Sequence, residues 1–252
     1  MEKRSKPTAA RALVDRQIGR FEAMPPSARE RCVDAYQRIA AVYDIIDMPY
    51  EYLWKRPLRR YLFARTAGRI LDVGIGTGCN IPFYPAGATV TGIDQSGAML
   101  ARARKRAAGL GREMTLLERG LPDTRLPAAG FDCVVASFII CCIPAGEQPA
   151  AFAELRRLAG REGRIFILDY TLPTQPLLRA FMRATAPVIR SVFAARYDTD
   201  AERCFGPAGL RVEESRKFLG GAVTLHILAA EAGEPLSAEA DRTREKTPLP
   251  AI

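Results

Sequence analysis

The sequence predicts an α/β protein built on a doubly wound, mostly parallel sheet of seven strands, with an antiparallel hairpin at one edge and a helical cap at the amino terminus. Three observations lead to this fold class. Apolar strands alternate with helical segments between residues 69 and 169. A turn with three glycines follows the first strand, and the second strand ends on an acid, Asp94. Near the carboxyl terminus, two further apolar segments are separated by Gly220-Gly221, which predicts the hairpin.

The apolar runs set the expected order of elements. Five parallel strands are predicted at Arg69–Val73, Thr89–Ile93, Met114–Glu118, Cys133–Ser137 and Arg164–Asp169. Helices are predicted between them at Ile81–Tyr84, Ala98–Ala108 and Pro149–Leu158. The hairpin strands are predicted at Leu210–Ser215 and Ala222–Ala230. Because strands and helices alternate, helices are expected on both faces of the sheet.

Three regions are expected along the chain. Residues 1–67 form the helical cap: one helix begins at Ser27, whose capping partner is Glu30, and runs toward Tyr43, and a second covers Tyr50–Ala67. Residues 68–232 form the α/β domain. Residues 233–252 have almost no apolar content, which predicts a disordered tail.

The segment Pro173–Arg196 carries an apolar stripe at helical spacing with arginines on its flanks, and Pro187 is expected to kink it. Two interpretations remain open. The stripe packs into the core, or the segment is a basic amphipathic lid over a ligand or on lipid headgroups.

Composition and charge indicate where the protein is located and which kinds of partner and metal site to expect. No apolar run reaches the ~20 residues that span a bilayer, and no secretory signal is evident, so a cytoplasmic location is expected. The net charge of +9 has two interpretations: it favours polyanionic partners, either nucleic acid or an anionic membrane surface, or it reflects an Arg-rich composition with ordinary solvated faces. The six cysteines include no C-x-x-C pair and the chain has one histidine, so no metal site is predicted. Adjacent Cys141 and Cys142 are expected to be buried, with a soft-metalloid or thiol role as the alternative.

The glycine turn indicates the kind of ligand. A dinucleotide turn would place its third glycine at Cys79, and the Gly-Lys-Ser/Thr of a phosphate loop is absent. Asp72, just before the first glycine, would repel a phosphate. An acid at this position suits a nucleoside cofactor that carries positive charge and no phosphate, and S-adenosylmethionine has these properties.

Several segments resemble the motifs of class I S-adenosylmethionine-dependent methyltransferases, whose core is Rossmann-like. They are the glycine motif Leu71–Gly78, the second motif Gly92–Leu100, the fourth strand beginning at Phe131-Asp132, and the turn and fifth strand at Gly163–Ile167. The match extends from about Arg69 to Asp169. The resemblance implies S-adenosylmethionine as the cofactor of the α/β domain, and methyl transfer as its activity.

The resemblance also implies roles for single residues. Asp72 would orient the α-ammonium group, directly or through water, and Asp94 would accept both ribose hydroxyls. The family often places an acid near the adenine amino group where this chain has Gly120, so backbone groups or Glu118 would substitute. The implied cofactor-binding set is Asp72, Gly74, Gly76, Gly78, Asp94, Gln95, Met99, Gly120, Leu121 and Phe138.

The methyl acceptor is less determined. Candidates on its side of the site are Tyr43, Asp169, Tyr170 and Tyr197, and no catalytic base need be present. The leading hypothesis is a lipid amine, because several segments resemble bacterial phosphatidylethanolamine N-methyltransferases; it includes peripheral contact with an anionic membrane. Alternatives are a quinone ring carbon, since Leu219–His226 resembles the end of the ubiquinone and menaquinone C-methyltransferases, and a small thiol. A hypothesis from a different class is a non-catalytic RNA-binding protein, which the dispersed basic residues disfavour.

Overall fold

The computed structural model describes residues 51–173, 175–193 and 201–231. In this part of the chain, seven strands form one sheet in the order β3-β2-β1-β4-β5-β7-β6. The strands are β1 (Arg69–Val73), β2 (Thr89–Asp94), β3 (Thr115–Glu118), β4 (Cys133–Ser137), β5 (Arg164–Tyr170), β6 (Leu210–Phe218) and β7 (Val223–Ala230). The first five are parallel to one another, while β7 runs antiparallel to both β5 and β6. The predicted fold class is therefore confirmed, including the edge hairpin.

Within the described ranges, four α-helices accompany these strands. They are α1 (Arg56–Phe63), α2 (Gly97–Gly109), α3 (Gln148–Ala159) and α4 (Pro176–Phe193). A π-helical turn, Glu51–Lys55, leads directly into α1, and the predicted short helix after the glycine turn is a 3-10 turn at Ile81–Phe83. Ser96 caps α2 by accepting a hydrogen bond from the Met99 backbone N–H at 3.3 Å.

Two apolar layers cover the sheet. The alternation of side chains along β5 shows the division: Phe166 and Leu168 join the layer beneath α1 and α2, whereas Ile165 and Ile167 join the layer beneath α3. Because successive side chains of a strand point to opposite faces, the last two residues of each strand point to different layers. Ligands bind at these carboxyl ends in such folds.

The hairpin turn follows the glycine signal in the sequence. Gly220 and Gly221 both adopt left-handed backbone angles, with φ of 64° and 89°. The turn places Gly220 next to Leu178 of α4, so the start of α4 lies at the carboxyl edge of the sheet. The helix α4 continues past Pro187 to Phe193.

Some predictions lie outside the described residues. They are the first helix of the cap, Tyr43, Tyr197 and the tail 233–252. Within the part that the structure describes, every helix falls short of the length and apolar character needed to cross a bilayer.

Candidate active site

The ends of β1 and β2 meet at the glycine turn. The Asp94 carboxylate accepts hydrogen bonds from the backbone N–H groups of Gly76 and Ser96, each at 2.9 Å. Burial raises the pKa of this carboxyl, while those backbone donors oppose the rise. Asp94 thus holds the turn in place through both of its carboxylate oxygens, each of which accepts one backbone N–H.

The three glycines of the turn, Gly74, Gly76 and Gly78, serve two different purposes. All three have positive φ, at 67°, 56° and 83° respectively. A Cβ on Gly74 would lie 2.7 Å from Ile139, and one on Gly78 would lie 2.5 Å from Ile81, so internal packing requires glycine there. A Cβ on Gly76 would meet only a backbone oxygen at 4.0 Å. Gly76 therefore borders open space next to Asp94, where a ligand can approach the backbone.

Asp72 is completely buried, with 0% exposure, and its carboxylate is surrounded by hydrogen-bond donors. The Asn80 amide donates to its two oxygens at 3.0 and 2.8 Å, and the Tyr84 hydroxyl donates at 2.6 Å. Burial raises the pKa of Asp72 to about 6, although the Tyr84 and Asn80 bonds and the nearby Arg59 charge lower it. The site therefore contains a carboxylate whose charge is costly to maintain.

Arg59 connects this carboxylate to the helix that precedes the sheet. Its Nε donates to the Glu51 carboxylate at 3.2 Å, and its Nη1 donates to Asn80 and, at 3.1 Å, to the Ser137 hydroxyl. No sequence pattern was taken to predict Arg59 as a site residue. The available signal was its position on α1, where it shares a helical face with buried Leu62 and Phe63.

Four of the predicted residues lie together on the other side of Asp94, near the ends of β2 and β3. Gln95 packs against Gly120 so closely that a Cβ on Gly120 would overlap its side chain. The Gln95 amide also donates to the Leu121 carbonyl at 3.4 Å, and Met99 is buried one turn into α2. The missing acid at Gly120 thus coincides with a position that Gln95 fills.

Phe138 belongs to a different group. Its ring lies 5.8 Å from the ring of Trp54 and 5.4 Å from that of Tyr170, and Trp54 and Tyr170 are 5.9 Å apart. These three residues form the aromatic cluster at the ends of β4 and β5. Phe138 has a φ of 56°, a left-handed conformation that a bulky side chain rarely adopts and that is typical of functional sites.

Asp169, an acceptor-side candidate, lies on the face of the sheet opposite the aromatic cluster. Its carboxylate accepts hydrogen bonds from the backbone N–H groups of Cys141, at 3.0 Å, and Tyr170, at 2.7 Å. Burial raises its pKa to about 6. In this geometry Asp169 supports the turn after β4, while its neighbour Tyr170 faces the cluster.

Comparison with known proteins agrees with this geometry. The model of the methyltransferase domain family matches residues 70–163. The phosphatidylethanolamine N-methyltransferase of Cereibacter sphaeroides is 33% identical over 159 residues, which are 61% of this chain and 77% of that protein. The ubiquinone/menaquinone biosynthesis C-methyltransferase UbiE of Syntrophotalea carbinolica is 30% identical over 218 residues, covering 76% of this chain and 90% of that protein.

A solved structure shows the same fold. The O-methyltransferase NcsB1 from neocarzinostatin biosynthesis, in complex with S-adenosylmethionine and a naphthoic acid, aligns with a TM-score of 0.60 at 18% identity, covering 77% of this chain and 58% of that one. The chain belongs to the class I S-adenosylmethionine-dependent methyltransferases. S-adenosylmethionine is its methyl donor.

Proposed function

We propose that the donor lies across the ends of β1 and β2, with its ribose on Asp94 and its methionine portion against Gly76. A buried carboxylate, Asp72, and a partly buried one, Asp94, suit a donor with a sulfonium and an ammonium group. Gln95, Met99, Gly120 and Leu121 are then placed for the adenine. Because Asp72 has no exposed surface, it acts on the ammonium group through its charge.

This placement predicts a pH dependence of donor affinity. The pKa of Asp72 is about 6, and a bound ammonium group favours its ionised form. Affinity should therefore be full above pH 6 and fall by up to about tenfold per pH unit below it. Calorimetric titration with the donor between pH 5 and 8 measures this change. Asp72→Asn should remove it, whereas Asp169→Asn, at a residue whose pKa is also about 6, should not. The same pH profile in both variants contradicts the role of Asp72.

For the acceptor, we propose the amine of a phospholipid, as in phosphatidylethanolamine N-methylation. The main observation in support of this proposal is the distribution of exposed apolar side chains. Of the seven large apolar side chains that are exposed among the described residues, five belong to segments at the carboxyl edge of the sheet. They are Tyr52, Leu53, Leu177, Phe181 and Leu219. Exposed apolar residues beside a site are typical of contact with a lipid phase.

Charge at the same edge favours an anionic membrane. Arg56 stacks on Tyr52, with its guanidinium carbon 5.0 Å from the ring, and Arg179 lies on α4 between Leu177 and Phe181. Arg216 and Lys217 lie in the last part of β6, close to the hairpin turn. Each basic residue near an anionic surface contributes about 1 kcal/mol of attraction.

The chemistry requires little of the side chains. The bound donor supplies a methyl group on a good leaving group. The aromatic cluster limits access of water, and Phe138 and Tyr170 line the position from which an amine would approach. An uncharged amine attacks through its own lone pair, so the site needs no dedicated base.

Labelled methyl donor and a total lipid extract test the proposal. We expect label in phosphatidylethanolamine derivatives, and none with an Asp94→Ala variant. Label only in the quinone fraction would favour the alternative that the UbiE relative represents, and label only in water-soluble products would favour a thiol. The hairpin segment that resembles the quinone enzymes includes His226, which is buried beside Phe205 within the sheet. That resemblance therefore supports the fold more than the substrate.

The membrane surface can be tested separately. Leu177→Glu with Phe181→Glu should abolish flotation with anionic vesicles and reduce methylation of vesicle lipid by about tenfold or more, because two apolar side chains are lost from the interface. Methylation of detergent-dispersed lipid should stay unchanged. Leu110→Glu is the matched control, since Leu110 is 48% exposed at the other end of the sheet. Equal effects of the two changes would contradict this surface.

A further inference from the structure

Two adjacent thiols lie in the turn that follows β4. Cys141 and Cys142 are the last residues of the 3-10 turn Ile140–Cys142, which we call the cysteine turn, and their Sγ atoms are 3.8 Å apart. Cys141 is buried, with 1% exposure, whereas Cys142 is half-buried, and neither takes part in a disulfide. In this arrangement an oxidant that reaches the outer sulfur leaves the inner one in position to complete a disulfide.

The segment that leads into the cysteine turn contacts both parts of the candidate active site. The side chain of Ile139 packs against the glycine turn, where a Cβ on Gly74 would lie 2.7 Å from it. Phe138, the preceding residue, belongs to the aromatic cluster. The backbone N–H of Cys141 also donates to the Asp169 carboxylate at 3.0 Å. A change in the backbone of the cysteine turn would therefore affect the donor side and the acceptor side together.

The two thiols have different surroundings. The hydrogen bond with Cys142 and burial raise the pKa of the Cys141 thiol well above its usual range, so Cys141 keeps its proton at neutral pH. Solvent reaches Cys142 but hardly reaches Cys141. Cys142 is therefore the sulfur that meets a dissolved oxidant first, and Cys141 is the second sulfur.

We propose that Cys141 and Cys142 form a site of reversible oxidation by hydroperoxides, and that their disulfide lowers the affinity for the methyl donor. Cys142, as a thiolate, attacks the O–O bond of the peroxide; its sulfur becomes a sulfenic acid, and the leaving oxygen takes the thiol proton. The Cys141 sulfur then displaces the sulfenic hydroxyl, which leaves as water with the Cys141 proton. Two thiols and one hydrogen peroxide thus give one disulfide and two waters. The step involves no methyl acceptor, so it is independent of the proposed lipid substrate.

A disulfide requires the backbone of the cysteine turn to change. Consecutive Cα atoms are about 3.8 Å apart, below the roughly 4.4–6.8 Å that disulfides span, and consecutive side chains of a helical turn do not face each other. Gln148 of α3 holds the two ends of the turn, because its amide donates to the carbonyls of Ile140 and Ile143 at 3.3 and 3.2 Å. The backbone N–H of Cys142 donates to the Ile139 carbonyl at 2.9 Å, so movement of Cys142 shifts Ile139 against the glycine turn. Strained disulfides are readily reduced, which makes the oxidation reversible.

Oxidation and donor binding can be measured on the same sample of the full chain. The protein is treated with a small excess of hydrogen peroxide, the peroxide is removed, and the Kd for S-adenosylmethionine is measured by calorimetry. By mass spectrometry, we expect the peptide with both cysteines to lose two hydrogen atoms. The Kd should rise roughly tenfold or more and should return to its starting value after treatment with dithiothreitol. A disulfide that leaves the Kd unchanged would overturn the proposal.

Two variants identify the sulfur atoms that respond. Cys142→Ser should bind the donor as the wild-type protein does, and peroxide should no longer change its Kd. Cys79→Ser is the control, because Cys79 is a half-buried thiol next to the glycine turn, where oxidation could also disturb the donor. Its response to peroxide should match that of the wild-type protein. A response that is lost in Cys79→Ser and kept in Cys142→Ser would assign the effect to Cys79 and refute the proposal.

Phenylarsine oxide provides a test that needs no variant. This trivalent arsenical bridges two neighbouring thiols, and its oxygen leaves as water with the two thiol protons. It should bind to the peptide with both cysteines in the wild-type protein, be released by a dithiol but not by a monothiol, and prevent the mass change that peroxide causes. Failure to bind, or a peroxide-treated peptide that gains oxygen without losing hydrogen, would show that the two sulfurs do not react as a pair.

Discussion

Replacement of Asp94 by alanine should raise the Kd for S-adenosylmethionine at least about 100-fold. A carboxylate has about four acceptor positions, and two of those of Asp94 are used by the Gly76 and Ser96 backbone groups. The remaining positions are those that we assign to the ribose hydroxyls. Two hydrogen bonds to a charged acceptor contribute about 1.5–3 kcal/mol each, which sets the expected loss. Asp94→Ala also removes the two hydrogen bonds that hold the glycine turn, and this would weaken donor binding further.

Calorimetric titration with the donor measures this loss, and Asp132→Asn is its control. Asp132 lies just before β4, at the opposite edge of the same sheet, where it pairs with Arg69 at 2.9 Å. Both residues of that pair are exposed, so the control should alter stability only slightly and donor affinity by less than about threefold. A Kd for Asp94→Ala within the same threefold range would show that the ribose lies elsewhere.

The glycine turn and Asp94 could be predicted from the sequence because their signals are local. A strand, a turn that needs positive φ and an acid at the next strand end occupy fewer than about 30 residues in such folds. The reasons for the glycines were only partly predictable. Gly76 borders open space, as the expected close approach of a ligand requires, but Gly74 and Gly78 are required by Ile139 and Ile81. The contact between Gly74 and Ile139 depends on how β1 and β4 pair, which no local pattern shows.

The side chains around Asp72 are a second feature that the sequence predicts only in part. An acid before the glycine turn predicts a cationic ligand, yet no local pattern shows the groups that surround this acid. Asn80 and Tyr84, after the turn, donate to the Asp72 carboxylate, and Arg59 of α1 donates to Asn80. Asp169 shows the converse case. Successive side chains of a strand point to opposite faces of the sheet, so the sequence already placed Asp169 and Tyr170 on different faces. Which of the two lies beside Trp54 and Phe138 depended on where the segment before α1 packs.

Replacement of Arg59 by methionine should reduce the free energy of unfolding by about 3–5 kcal/mol, because removing one partner of a buried ion pair leaves the other charge uncompensated. Glu51, the direct partner, is 12% exposed at its side chain, and Asp72 loses the favourable charge of Arg59. In a chain of this size, the change corresponds to a decrease in Tm of roughly 10 °C. Arg60→Met is the control, since Arg60 is the next residue on α1 and is exposed. It should change stability by less than about 0.5 kcal/mol.

A double-mutant cycle identifies the cause of the loss. If the uncompensated carboxylate of Glu51 is responsible, Glu51→Gln combined with Arg59→Met should be more stable than Arg59→Met alone. Donor affinity should remain low in the double variant, because Asn80 still lacks the Arg59 donor that holds it against Asp72. Recovery of stability without recovery of binding would show that Glu51 and Arg59 together fasten the preceding helix to the sheet, while Arg59 alone orders the glycine turn. Equal melting curves for Arg59→Met and Arg60→Met would rule out this account.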